Sequence, residues 1–352
     1  MPNWYESMTQ SFDYYVVDPR TWKDTQKLDT VLSMEITRDD GVETLGSASI
    51  DLNEVIGECY IRPYLVTIQN GIKERFPLGT YLIQTPSSSF NGLYRTISAD
   101  AYTPLIELKE SPLPLGYYTR KESNIMQEAF YIAREHMRAP VIKPECEELL
   151  TEDFVSNNDD TWLTYISDLC ANAKYELRLD DLGKLTFAPI QDTASLRPMV
   201  TFDDSNSSIL YSDIDMTHDL YGIPNVVEVL YSDKGQSFYS KIVNDDPNSP
   251  VSTVNRGREI LYRDTSPSFV GLPSQRQVDE YATRLLKELS AVEYTISYTH
   301  GYYPVRPGDC VRLDYKKAGI TNTKAKIISQ SISLEPGCPV SETAVFTTKL
   351  WG

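Results

Sequence analysis

Histidine is scarce in this sequence, and so are the patterns that accompany metal or nucleophilic catalysis. There are 3 histidines in 352 residues, and His136, His218 and His300 all lack a partner at metal-binding or catalytic spacing. No nucleophile elbow, zinc-binding histidine pair or phosphate loop occurs. The 5 cysteines (59, 146, 170, 310 and 338) are scattered and odd in number, which excludes a disulfide framework and a Cys-x-x-Cys zinc site. No stretch approaches the roughly 18 apolar residues of a membrane helix, so no membrane insertion is expected. The start, MPNWYESMTQ, lacks the basic and apolar regions of a signal peptide, and a soluble, reducing compartment is the expectation. Basic clusters are missing too. Arg120-Lys121 and Lys316-Lys317 are the only adjacent basic pairs in a chain of net charge −17, which argues against a nucleic-acid groove. DNA could only be in transit past such a protein, where repulsion prevents sticking.

What the sequence does contain is strand signal. Tyr is abundant (24, against 10 Phe), as in β-rich surfaces and interfaces. Val31 to Arg38 alternates, with Leu32, Met34 and Ile36 on one face. Tyr60–Gln69 and Ile72–Phe76 flank Asn70-Gly71, and Tyr81–Ile83 and Leu93–Ala101 flank a turn with Asn91-Gly92; Asn-Gly supplies the positive φ of tight hairpins. The breaker cluster Ser111–Gly116 ends this region. Beyond it Asn124 caps a helix striped by Ile125, Ala129, Ile132 and Ala133. A second helix starts at Asp159 or Asp160, burying Trp162, Tyr165, Ile166 and Leu169, and leads into a hairpin turning at Asp181-Leu182-Gly183.

From Met199 the chain returns to strands, interrupted by a polar loop at 244–257 and by one helix over about 274–290. That helix opens on a Ser274/Gln277 capping box. The expected architecture is therefore mainly β (α+β), with three domains. These are a first tube-like antiparallel β-barrel over 1–115, an α/β insert over 116–198, and a second tube-like β-barrel with the one helix over 199–352.

The best remaining constellation is Asp213, Asp215 and Asp219, which alternate onto one face of a strand together with Thr217. The Gly and terminal Glu of a calcium loop are missing there. A solvated strand face explains the run more simply than a cation site, and the wall of an aqueous channel would have the same pattern. Five Asp-Asp pairs (39–40, 159–160, 180–181, 203–204, 245–246) raise a glycosidase, which needs two opposed carboxyls. Each pair falls at an expected turn or helix start, where Asp forms turns and caps. No catalytic, metal or cofactor-binding residue is assigned, and no cofactor is expected.

Several segments in order resemble the baseplate hub proteins of phage tails. They are Phe76-Pro-Leu-Gly-Thr-Tyr-Leu-Ile, Ile97–Leu108, Thr161–Ala173, Tyr175–Asp180, Gly183–Pro189, Pro224–Val229 and Tyr303–Leu313 with its Pro307-Gly308-Asp309 turn. The resemblance takes in the hubs of contractile tails, including the late-control family, and the N-terminal hub region of tail-associated lysins. It implies a non-enzymatic homotrimer whose six barrels form a pseudo-sixfold ring, adapting a hexameric tail tube to a trimeric spike or tip around the DNA exit channel. Implied partners are the tail tube or distal tail protein, the spike or tail-tip protein, the tape measure protein and other baseplate proteins. The implied location is the virion tail, assembled in the host bacterial cytoplasm. The Asp213, Asp215 and Asp219 face becomes a candidate channel lining. Because the sequence stops at Trp351-Gly352, any piercing or lytic domain is expected on another chain. A cell-wall glycan hydrolase, from the acidic pairs, and a receptor-binding module, from the Tyr content, are the alternatives.

Overall fold

The computed structural model describes residues 1–351 except 91, 94, 206, 219, 234, 270 and 271. The chain is mainly β. In order it forms β1 (Thr9–Val17), β2 (Asp24–Lys27), β3 (Val31–Asp39), β4 (Gly46–Leu52), β5 (Tyr60–Gln69), β6 (Ile72–Pro77), β7 (Tyr81–Phe90) and β8 (Arg95–Tyr102). Next come α1 (Ile106–Glu110), β9 (Tyr118–Thr119), α2 (Ile125–His136), β10 (Phe154–Val155), α3 (Trp162–Asn172), β11 (Tyr175–Leu179) and β12 (Leu185–Pro189). The remainder is β13 (Pro198–Asp203), β14 (Leu210–His218), β15 (Val226–Asp233), β16 (Gln236–Val243), α4 (Thr253–Arg256), β17 (Leu261–Asp264), α5 (Gln275–Leu289), β18 (Ala291–Gly301), β19 (Cys310–Asp314), β20 (Thr323–Ser333) and β21 (Pro339–Lys349).

The chain forms two compact units, Met1–Ile214 with Ser297–Ala344, and Asp215–Ile296 with Val345–Gly352. In the first, one large sheet runs β18-β21-β20-β3-β4-β8-β7-β5-β1-β2. Strands far apart in sequence pair directly, since Ser329–Ser333 of β20 lie antiparallel to Glu35–Asp39 of β3. β20 changes its buried parity along its length. It buries odd positions (Ala325, Ile327) where it pairs with β19, then even ones (Gln330, Ile332) where it pairs with β3. The β5–β6 hairpin closes on Asn70 (φ 51) and Gly71 (φ 79), the doubly positive turn that Asn-Gly favours. Asn91 of the second expected turn lies outside the described residues.

α1, α2 and α3 pack into one apolar cluster with Trp22, Tyr60 and Leu82. α2 is capped by Asn124, whose side chain accepts from Gln127 N. α3 begins at Trp162, two or three residues later than the Asp159/Asp160 expectation. Thr161 caps it, in a reciprocal box with Thr164, while Asp160 turns back to accept from Asn157 N. His136 stacks on Trp162 at 3.9 Å and is half-buried, as a boundary histidine on the stripe should be.

In the second unit, β16-β15-β17 form a small sheet covered by α5, whose Val278, Ala282 and Leu286 pack on Val227 and Val229. Ser274 and Gln277 form the expected capping box. The 244–257 loop is held by asparagine side chains. Asn244 donates to Ser249 Oγ, and Asn255 donates to the carbonyls of Pro247 and Ser249.

Candidate functional site: a polar sheet face and the junction beside it

The β11–β12 hairpin inserts its turn, 180–183, into the edge of the large sheet. Asp180 shapes the turn by accepting from Leu182 N and Lys184 N at 2.9 and 2.8 Å. The Leu182 carbonyl then receives three side-chain donors, Trp22 Nε1 (2.8 Å), Thr80 Oγ1 (2.8 Å) and Arg62 Nη2 (3.1 Å). Gly79 N donates to Asp181 O at 3.0 Å, and Arg306 Nη1 to Leu179 O at 2.9 Å. Arg178 reaches the Pro307 carbonyl. Three of the motif segments, around Gly79, Gly183 and Gly308, thus meet at one place.

Two of their glycines are required sterically. A Cβ on Gly183 (φ +72) would lie 2.7 Å from Thr80 Cβ, and one on Gly308 (φ +90) would overlap the Arg178 guanidinium.

Charge at this junction is paired. Arg62, 3% exposed, is 2.7 Å from Asp24 and donates to Thr80 Oγ1 at 2.9 Å. Arg306 pairs with Asp181, and Arg178 with Glu176 and, at 3.5 Å, with Asp40. Burial pushes the Asp40 carboxyl up to about 6, outweighing the downward pull of Arg178.

The outward face of the large sheet is built oppositely. Its core side carries Met34, Ile36, Ala48, Ile50, Ile97, Ala99 and Ile332. Register places the alternate residues of the same strands in cross-strand rows on the other side. One row is Ser333, Glu35, Ser49, Asp100; the next is Ser331, Thr37, Ser47, Tyr102; a third is Ser33, Asp51, Ser98. The face continues onto β21 and β18, where Ser341 bonds Thr299 at 3.0 Å and Thr343 bonds Ser297 at 3.3 Å. Each of these positions holds Ser, Thr, Tyr, Asp or Glu, and none holds Lys or Arg. The carboxylates are held by hydroxyls. Ser33 and Ser98 donate to Asp51, and Ser331 donates to Glu35 at 2.6 Å.

Asp213 and Asp215 are both exposed on β14, while Asp219 lies outside the described residues. The carboxylates of the polar face, Glu35, Asp51 and Asp100, were not singled out by sequence reading, because only register brings them together. In each of the five Asp-Asp pairs one carboxylate binds a backbone N–H nearby: Asp39 that of Gly41, Asp160 that of Asn157, Asp180 that of Leu182, Asp203 that of Ser205, and Asp246 that of Asn248. These are turn-forming roles, as expected from their positions. Among the described residues no group of His, Cys, Asp and Glu is arranged to hold a metal.

No known family profile matches the chain, and no curated protein matches it. Solved structures do. A tail protein from Neisseria meningitidis superposes with TM-score 0.60 at 14% identity, over 96% of this chain and 97% of that one. The 43 kDa tail protein of prophage MuSo2 from Shewanella oneidensis gives 0.62 at 11% identity, over 96% and 98%. The chain has a phage tail-protein fold. A chain of the Francisella PdpA–VgrG complex shares the fold over 97% of this chain and 58% of its own length, with TM-score 0.56 and 8% identity. The likeness to both tail proteins covers 96% of this chain, so the shared fold takes in helices as well as strands.

Proposed function

We propose that this chain is a structural baseplate hub of a phage or phage-like tail. In this reading it forms a homotrimeric, pseudo-sixfold ring that adapts the hexameric tail tube to the trimeric spike or tip. Residues 1–115 and 199–352 supply two tube-like barrels per copy, and residues 116–198 supply the insert between them. The observation that carries the reading is the polar sheet face. In the rows named, hydroxyls and carboxylates without cations repel a passing polyanion and offer it no counter-charge to bind. That is what the lining of a DNA exit channel needs, and Glu35, Asp51 and Asp100 are its candidate residues; Asp213, Asp215 and Asp219 stay a candidate lining in their own right.

The role is non-enzymatic. The partners are the tail tube or distal tail protein, the spike or tip, the tape measure protein and other baseplate proteins, within a virion tail assembled in the host cytoplasm. The turn-forming roles of the Asp-Asp pairs leave the hydrolase alternative without an opposed carboxyl pair among them. Native mass measurement of the purified chain, alone and mixed with its tail partners, tests the reading. Three copies per ring are expected; a strict monomer under both conditions would contradict it.

A further inference from the structure

β13, β19 and β20 lie side by side, and on their inner side Val200, Phe202, Val311, Leu313, Ala325 and Ile327 are buried. Register puts the intervening residues on the other side, where Thr201, Arg312 and Lys324 stand in one cross-strand row. Arg312 and Lys324 are therefore direct neighbours of like charge, an arrangement that destabilises a sheet unless a counter-charge stands between them. In a chain with 50 acidic and 33 basic residues, composition alone does not lead one to expect such a pair.

The chain's own groups do not supply that counter-charge. Arg62, Arg178 and Arg306 each have a carboxylate partner, whereas Arg312 has none among the described residues, and its Nε is buried without an acceptor. Lys324 Nζ donates to backbone oxygens, those of Ala194 and Leu196, at 3.4 and 3.2 Å. Lys326, further along β20, is 4.0 Å from Glu176, which Arg178 already holds. Asp203 and Asp314 form the next row, but Asp203 accepts from Ser205 N and Oγ, and Asp314 from Asn322 N. Beside the row the surface is open. Met199 and Thr201 are exposed, Arg312 and Lys324 are half-buried, and among the described strands β13 pairs with β19 alone.

We infer that a carboxylate of a second copy of this chain docks between Arg312 and Lys324, which makes this patch a contact between neighbouring copies. The inference rests on the ring proposed above and assigns one of its contacts. Copies that each carry a net charge of −17 repel, so a ring of them is favoured where cations of one copy meet carboxylates of the next. A carboxylate between the guanidinium and the ammonium removes the like-charge cost and gives the orphaned Nε its acceptor. The arginines of the hairpin junction are already paired and cannot serve in this way. A cationic patch on one copy against an acidic surface on the next is a heterologous contact, the kind that closes a ring of three.

Zero-length cross-linking tests it on rings assembled from the full chain with its tail partners. Unlabelled and isotope-labelled chains are mixed during assembly, and a carbodiimide then joins lysine amines to carboxylates in contact with them. The expected product is a mixed-isotope peptide pair joining Lys324 to an Asp or Glu. Rings whose links between copies all avoid Lys324 would overturn the inference and leave the ring itself standing. Lys324 joined to a carboxylate of another tail protein would overturn it in that partner's favour. Failure to form any ring would overturn it together with the reading it rests on. Arg312→Gln gives a second readout: ring closure should weaken by about tenfold or more in a native mass titration, with the thermal midpoint of the single chain held. An unchanged ring affinity in that variant would overturn the inference as well.

Discussion

The hairpin junction and the polar sheet face belong to one compact unit, yet they use charge in opposite ways. At the junction, Asp24, Asp40, Glu176 and Asp181 each stand within 4.0 Å of an arginine, and one carbonyl gathers three donors. On the face, Glu35 and Asp51 meet only serine hydroxyls among their described partners. Paired, half-buried charge fixes geometry, because breaking one pair strands the partner. Unpaired, hydrated charge contributes little to stability and instead sets what the surface will not bind. The difference separates the residues that hold the chain in shape from those that, in the proposed function, face the passing genome.

The comparison can be broken at its rigid end first. Arg62→Met should cost about 3–5 kcal/mol in chemical denaturation, because Asp24 loses its buried partner and Leu182 O one of its donors. Gly183→Ala should cost about 2–4 kcal/mol by the same assay, from the positive φ and the clash with Thr80.

Asp40 gives a smaller, pH-dependent effect. Its folded value near 6 lies above the ordinary 3.8, so the folded chain binds the extra proton, and stability falls as pH rises between about 4 and 6. Asp40→Asn should remove that slope and raise stability at pH 7 by about 1–3 kcal/mol, read as a thermal midpoint that no longer improves on acidification. The polar face should respond least. Ser49→Lys with Ser98→Lys should leave stability within about 0.5 kcal/mol of wild type. The pair should nevertheless create salt-sensitive DNA retention in a gel-shift assay, where the wild type shows none.

How much of this was legible in the sequence depends on whether the signal is local. Asn70-Gly71, Asn124 and the Ser274/Gln277 box act within four residues of themselves, and each stands where the sequence put it. The start of α3 slipped because Thr161 and Thr164 cap reciprocally, while the better-ranked capping residue Asp160 shapes the preceding turn. β1 and β4 were not anticipated, and neither was the polar face. Ser33, Asp51 and Ser98 look like ordinary outward strand residues until β3, β4 and β8 are placed in register. The β3–β20 pairing joins residues nearly 300 positions apart, a link no local pattern encodes. His300, read as lying before a turn, instead ends up in the core of β18, because the strand runs on to Gly301. The motif segments were visible one by one, but their meeting around the 180–183 turn was not.

The central claim is that the polar face looks onto the path of the genome. A cryo-electron microscopy map of the assembled tail tip, at a resolution that orients this chain, tests it most directly. The account predicts three copies in a ring with Glu35, Asp51 and Asp100 turned to the lumen. A map that placed those carboxylates on the outer surface, or buried them against a neighbouring protein, would contradict it.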